Sequence, residues 1–136
     1  MINIYGKIRS SGGRLTKVRK SIIEMLTGKS CCMTKQDIIE KLQRKNITPN
    51  RTTIYRELLF LVKSGIVQKN NIAGSEYYEI PQDHHHHLVC LGCNLIEKIK
   101  ICGHLKKQEK KIAEKNKFDI INHSLEFYGY CRKCRA

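Results

Sequence analysis

Residues 50–80 read NRTTIYRELLFLVKSGIVQKNNIAGSEYYEI, and their pattern decides the fold. Asn50 or Arg51 opens a helix in which Ile54, Leu58, Leu61 and Val62 recur at helical spacing, and Gly65 stands where a helix C-cap belongs. Two strand-like runs follow, Ile66–Lys69 and Glu76–Ile80, around a turn drawn from Asn70, Asn71 and Gly74. Upstream, Thr34 begins a second helix; Asp37 approximates a capping box, and Ile38, Ile39 and Leu42 face inward. Thr16 caps another, running to about Leu26 with Val18, Ile22, Met25 and Leu26 on its apolar side. Three helices followed by a β-hairpin are the plan of a winged helix-turn-helix.

In that plan the second helix of the motif enters the major groove of DNA, and its early residues meet the bases. With Ile54, Leu58 and Leu61 turned to the core, Arg51, Thr52, Tyr55 and Arg56 remain outside. Arg forks onto guanine or phosphate, and Thr and Tyr reach a thymine methyl or a phosphate oxygen. Arg14 and Lys17, before the first helix, are candidates for minor-groove or backbone contact. A solvated helix face is the plain alternative, but the hairpin and the charge favour DNA. The chain of 136 residues holds 26 Lys and Arg against 12 Asp and Glu, a formal net charge of +14. Such a surface is drawn to polyanions.

The texture changes near residue 81. Every histidine and all but two of the seven cysteines lie beyond it. The expected organisation is a winged-helix domain over 1–80, a hinge over 81–83 and an α/β domain over 84–136, together an α+β protein. In the second part Leu88–Leu91 and Leu95–Ile101 are strand-like, Leu105–Asn116 is a lysine-rich helix, and Ile120–Ile121 and Leu125–Tyr130 supply further β segments. Ile2–Arg9 and the stretch after Ile101 carry the weakest pattern. A part this small needs a metal, a partner subunit or both to be stable.

The longest apolar run, Leu58–Val62, is far short of a bilayer span, and the N-terminus lacks the apolar core of a secretory signal. A reducing, cytoplasmic setting is therefore expected, where cysteines bind metal rather than pair as disulfides. Cys90-Leu91-Gly92-Cys93 and Cys131-Arg132-Lys133-Cys134 form two CxxC knuckles. Four thiolates in two chelating pairs match tetrahedral structural zinc. Redox pairs or unrelated thiols are the alternative.

His84-His85-His86-His87 leads directly into a strand, although four successive histidines also resemble a purification tag. In an extended segment His85 and His87 point one way and His84 and His86 the other. Each pair is half of a possible metal site. Glu79, Cys31, Cys32 and Glu97 are candidates to complete one of them, an arrangement that describes a sensor more naturally than an enzyme.

Taken together, these motifs resemble the ferric uptake regulator (Fur) family. The resemblance runs from Arg14-Leu15-Thr16-Lys17-Val18-Arg19 through Thr52-Thr53-Ile54-Tyr55-Arg56, Gly65-Ile66-Val67 and the histidine run to Asn122-His123-Ser124-Leu125 and the last CxxC. It implies a dimeric, metal-responsive transcription factor, usually a repressor, with a winged-helix DNA domain and an α/β dimerisation domain. Tyr55 and Arg56 match recognition-helix residues, and Arg14 a basic residue that enters the minor groove. Cys90, Cys93, Cys131 and Cys134 match structural zinc ligands. The regulatory site maps to Cys32, in place of the usual histidine, with Glu79, His85, His87 and Glu97. The spacings from Glu79 to Cys90 and from Cys93 to Glu97 are each one residue short of the family pattern. An auxiliary site maps to His84, His86 and His123; Lys106 replaces its helix glutamate, and Glu109 or His104 can substitute.

The expected function is a metal-dependent repressor that binds palindromic DNA operators as a homodimer and controls iron or zinc uptake genes. Structural Zn2+ is expected at the cysteines and Fe2+ or Zn2+, with Mn2+ possible, at the regulatory site. Cys32 pulls toward zinc. A peroxide-sensing regulator and a constitutive zinc-stabilised DNA-binding protein are the alternatives. A zinc hydrolase would need a catalytic Glu in an HxE or HExxH string, and neither occurs. No membrane and no small-molecule substrate are expected.

Overall fold

The computed structural model describes residues 3–28, 32–80, 85–100, 105–121 and 123–135. The chain divides into two compact units, Met1–Gln82 and Asp83–Ala136. The expected hinge, residues 81–83, lies outside the described residues. No described helix is long and apolar enough to cross a membrane.

The first unit contains α1 (Ile4–Ser10), α2 (Lys17–Thr27), α3 (Lys35–Arg44), α4 (Arg51–Lys63) and the hairpin strands β1 (Gln68–Ile72) and β2 (Ser75–Glu79). Caps set the starts of the three longer helices. The Thr16 hydroxyl accepts from the Arg19 amide, Thr34 and Asp37 form a reciprocal capping box, and the Asn50 side chain accepts from the Thr53 amide. Ile22, Leu26, Ile38, Leu42, Ile54, Leu58 and Leu61 form the centre of the core, and Ile39 packs against it. Each such side chain contributes about 1.5–3 kcal/mol by leaving water.

Two features depart from the sequence expectation. Residues 4–10 form a helix, capped by Asn3, whose Ile8 is fully buried; about two turns with one core residue leave little periodicity to read. The hairpin is also shifted. Its turn is only Ala73-Gly74, both at positive φ (52° and 81°), and pairing runs from Gln68↔Glu79 to Ile72↔Ser75. Asn70 and Asn71 are therefore strand residues. Ile66 and Val67 instead end α4: both amides donate to the Leu61 carbonyl while their side chains enter the core beyond Gly65, at φ +73°.

A charged strut ties α2 to α4. The Arg19 guanidinium donates to both carboxylate oxygens of Glu57 at 2.7 and 3.2 Å, donates to the Arg14 carbonyl at 2.7 Å, and lies 4.0 Å from the Phe60 ring centroid. Both side chains are largely shielded from solvent.

The second unit contains β3 (His86–Cys90), β4 (Ile96–Ile99), α5 (Leu105–Asn116) and β5 (Glu126–Gly129). Its sheet has the order β4-β3-β5, antiparallel on one side of β3 and parallel on the other. Strand β3 is buried at four of its five positions, whereas α5 has no buried residue. Ile120–Ile121 is not a strand, and Ile121 is almost fully exposed.

Removing one partner of a shielded, bidentate ion pair leaves the other charge unsatisfied, at a cost of about 2–4 kcal/mol. Glu57→Gln is expected to lower the stability of the N-terminal unit by that order in denaturant unfolding followed by circular dichroism. An unchanged midpoint would mean that the pair is solvated and not structural.

Candidate metal centres and nucleic-acid interface

Helices α3 and α4 form the helix-turn-helix, joined through Asn46 at φ 59°. Arg51, Thr52, Tyr55 and Arg56 are all exposed on α4, while Thr53 is engaged with the Asn50 cap. Arg14 and Lys17 are exposed at the start of α2. Sequence reasoning missed Lys35, whose ammonium lies 5.9 Å from the Tyr55 ring centroid. A signal for it was present: Lys17, Lys35 and Arg51 each occupy the first position of a helix. A cation there opposes the helix dipole by about 0.3–1 kcal/mol, and a phosphate near it reverses the sign.

The parallel pairing of β3 with β5 sets Cys90 opposite Gly129, so the knuckle that follows β5 meets the knuckle that follows β3. The sulfurs of Cys90, Cys93, Cys131 and Cys134 all lie within 4.8 Å of one another, with Cys93 and Cys131 3.8 Å apart. A tetrahedron with Zn–S bonds of about 2.3 Å has edges of about 3.8 Å, so the donor set and its spacing fit zinc. A Cβ on Gly92 would come 2.9 Å from both Cβ and Sγ of Cys134; only glycine leaves the fourth sulfur its place.

The thiols are tuned apart. The Cys131 amide, which donates to Cys90 Sγ at 3.3 Å, leads the contacts that lower the Cys90 thiol to about 6, helped by the amides of Cys93 and Gly92. Cys134 is pushed up to about 12 by its neighbouring sulfurs, Cys131 first. At Cys93 the Leu95 amide favours the thiolate, but the sulfurs of Cys90 and Cys131 outweigh it and the thiol is raised. One thiolate forms readily, whereas the raised thiols of Cys93 and Cys134 hold their protons more tightly.

The histidines fall into two groups, as strand alternation requires. The His85 and His87 rings meet edge to face at 4.9 Å. His86 instead stacks on His123 at 5.0 Å, with the two Nε2 atoms 3.4 Å apart. That separation is near the edge of about 3.3 Å expected between two imidazole nitrogens on one tetrahedral zinc. Glu109 reaches His123 through the opposite nitrogen, Nδ1, where a carboxylate orients a ligand instead of binding the ion itself. The auxiliary set is thus brought together at His86, Glu109 and His123. His84 and the alternative His104 lie outside the described residues, as does Cys31.

In the first unit, Met33 and Tyr78 exchange two backbone hydrogen bonds in an antiparallel bridge, and both side chains are buried. One step outward, that register sets Cys32 across from Glu79 on the other face. Cys32 is half-buried, and Glu79 is buried and accepts from the Asn70 side-chain Nδ2 at 2.6 Å. Glu97 departs from expectation. It is exposed and pairs with Leu88, whereas Lys98 pairs with His87. Paired residues share a face, so Glu97 is turned away from the face of His87.

Metal binds thiolates, so protons compete with it and affinity falls as pH falls. The Cys90 thiol, lowered to about 6, loses its proton progressively as the pH rises through that range. Binding well above it should release fewer than four protons, and the affinity should fall more steeply as the pH drops through it. Competition with a chromophoric chelator between pH 5 and 8 measures this; a pH-independent affinity would contradict a thiolate site.

A profile of the Ferric uptake regulator family matches residues 10–128. The ferric uptake regulation protein of Neisseria meningitidis is 29% identical over 137 residues, covering 98% of this chain and 94% of its own. The crystal structure of the Vibrio cholerae ferric uptake regulator superposes with a TM-score of 0.78 at 30% identity, covering 91% of this chain and 96% of that one. The Francisella tularensis regulator, solved with iron, gives 0.79 at 28%, covering 92% and 96%. With this match along almost its whole length, a winged helix-turn-helix and a sheet bearing paired cysteine knuckles, the chain belongs to the ferric uptake regulator family.

Proposed function

We propose that the protein is a cytoplasmic repressor that binds palindromic DNA operators as a homodimer when a regulatory divalent ion is bound, and so controls iron or zinc uptake genes. The observation that carries this reading is the coexistence of a basic recognition helix with two distinct donor sets, one of sulfur and one of imidazole. A closed sulfur tetrahedron is a structural site, whereas imidazoles on an exchangeable ion make a sensor. The family's role as metal-responsive regulators supports the same conclusion. The reading assigns no catalytic residue.

Zn2+ at Cys90, Cys93, Cys131 and Cys134 would hold the second unit together. Dimerisation is supported by that unit's surface, where Leu91, Phe118, Ile121 and Tyr130 are all more than half exposed. A unit this small with so much apolar surface needs a partner to cover it. Arg51, Thr52, Tyr55 and Arg56, with Lys35, would read the major groove, and Arg14 and Lys17 the backbone or minor groove.

Cys32 and Glu79 come from the first unit and His85 and His87 from the second. Without metal, a thiolate and a carboxylate brought together repel or take up protons. An ion neutralises them and ties both units to it, which would fix the spacing of the two recognition helices in a dimer to that of an operator's half-sites. His86 and His123, oriented by Glu109, would form the auxiliary site, with His84 as a further donor. Glu79, where peroxide sensors carry aspartate, weighs against peroxide sensing.

Two variants separate the roles. His87→Ala should abolish the metal dependence of DNA binding while leaving fold and structural zinc intact, and Cys90→Ala should unfold the second unit or split the dimer. Circular dichroism, zinc content and DNA affinity read the difference; loss of fold in His87→Ala would contradict two separate sites. Arg56→Ala should weaken DNA binding and, if it contacts phosphate, reduce the salt slope by about 1. An unchanged affinity would remove Arg56 from the interface.

A further inference from the structure

The segment between α1 and α2 is tied to the recognition helix by one guanidinium. Arg19 is buried, and its planar fork points two ways at once. On one edge Nε and Nη2 donate to the Glu57 carboxylate on α4 at 2.7 and 3.2 Å. On the other, Nη1 donates to the Arg14 carbonyl at 2.7 Å. The Thr16 amide donates to that same carbonyl at 3.2 Å, and the Gly13 amide donates to the Ile8 carbonyl at 2.9 Å. The Phe60 ring, also on α4, has its centroid 4.0 Å from the guanidinium. The fit is close: a Cβ on Gly13 would come 2.5 Å from Phe60 Cζ and 2.6 Å from Arg19 Nη1. The backbone of Arg14 is thus tied to α4, while the side chains of Arg14, Tyr55 and Arg56 stay exposed.

Resting on the proposed DNA-binding reading, we propose that Arg19 is a positioning residue of the DNA interface. Through Glu57 it fixes Arg14 relative to the recognition helix, so that both meet one duplex in a set geometry. Gly12 and Gly13 precede Arg14. A loose segment of that kind would have to be ordered at the moment of binding, at the expense of affinity. Lysine cannot take the place of Arg19, because a single ammonium does not reproduce a fork that spans a carboxylate and a carbonyl. The pairing also neutralises an acid that stands next to Arg56 and would otherwise repel phosphate.

The test is a double-mutant cycle on full-length protein that retains its knuckle zinc. Fluorescence anisotropy reads the affinity for duplex DNA from the protein's own upstream region. Zinc(II), manganese(II) or iron(II) is supplied, whichever gives the tightest wild-type binding, and circular dichroism checks that each variant is folded. Arg14→Ala should weaken wild-type binding by about fivefold or more, and Arg19→Lys by a similar factor. In the Arg19→Lys background Arg14→Ala should cost less than about twofold, because Arg14 has already lost its place. Arg56→Ala should cost the same factor in both backgrounds. Gly13→Ala displaces the guanidinium and keeps every charge; it should show the same coupling to Arg14→Ala, and it stands in where Arg19→Lys does not fold. A purely structural Arg19 would leave the full cost of Arg14→Ala in place. That additivity, or an Arg14→Ala variant that binds as tightly as wild type, would overturn the positioning role and leave DNA binding itself intact. A wild-type protein that binds the duplex with none of the ions would overturn both.

Discussion

Four cysteine sulfurs held within 4.8 Å of one another cannot all be thiolates unless a cation lies between them, and the second unit is organised around that constraint. Its sheet buries little besides β3, and its helix buries nothing. The apolar interior is small for some fifty residues, and on the proposed reading a closed metal site and a partner subunit would supply what the core lacks. The parallel pairing of β3 with β5 brings the knuckles together across the sequence, and the close approach at Gly92 leaves room for Cys134. In return, a rigid knuckle anchors the C-terminal end of β3. The histidines at the other end of that strand are then aimed by simple alternation.

That alternation turns one short strand into two chemically different surfaces. His87 lies on one face of β3, and His86 stacks with His123 on the other. The same rule passes to β4, where Lys98 and not Glu97 stands opposite His87. At the DNA-facing end the logic is electrostatic. Three helices begin with a cation against their own dipoles, an arrangement that becomes favourable when phosphates are present.

The winged helix was legible because its signals are local: Thr16, Thr34 and Asn50 cap where they stand, and the apolar spacing of α2 to α4 marks the core. The CxxC knuckles were legible for the same reason. The shifts came where tertiary context decides. Asn70 and Asn71 read as turn residues, yet a two-residue turn at Ala73-Gly74 extends the strands through them. Glu97 was named from sequence spacing, but its face depends on strand register, which no residue type announces. The Arg19–Glu57 strut spans 38 positions and cannot be seen from either end. Glu109 was legible as an acid near His123, but not as a group that orients the ring through Nδ1.

The claim that joins the two units is that an exchangeable metal ion controls DNA affinity. Fluorescence anisotropy of duplex DNA from the protein's own upstream region measures it directly. The protein should retain its knuckle zinc and receive zinc(II), manganese(II) or iron(II) anaerobically at buffered free concentrations. At least one of these ions should tighten binding by about tenfold or more, a coupling of about 1.4 kcal/mol. High affinity that stays the same with every metal would contradict the account and leave a constitutive, zinc-stabilised DNA-binding protein.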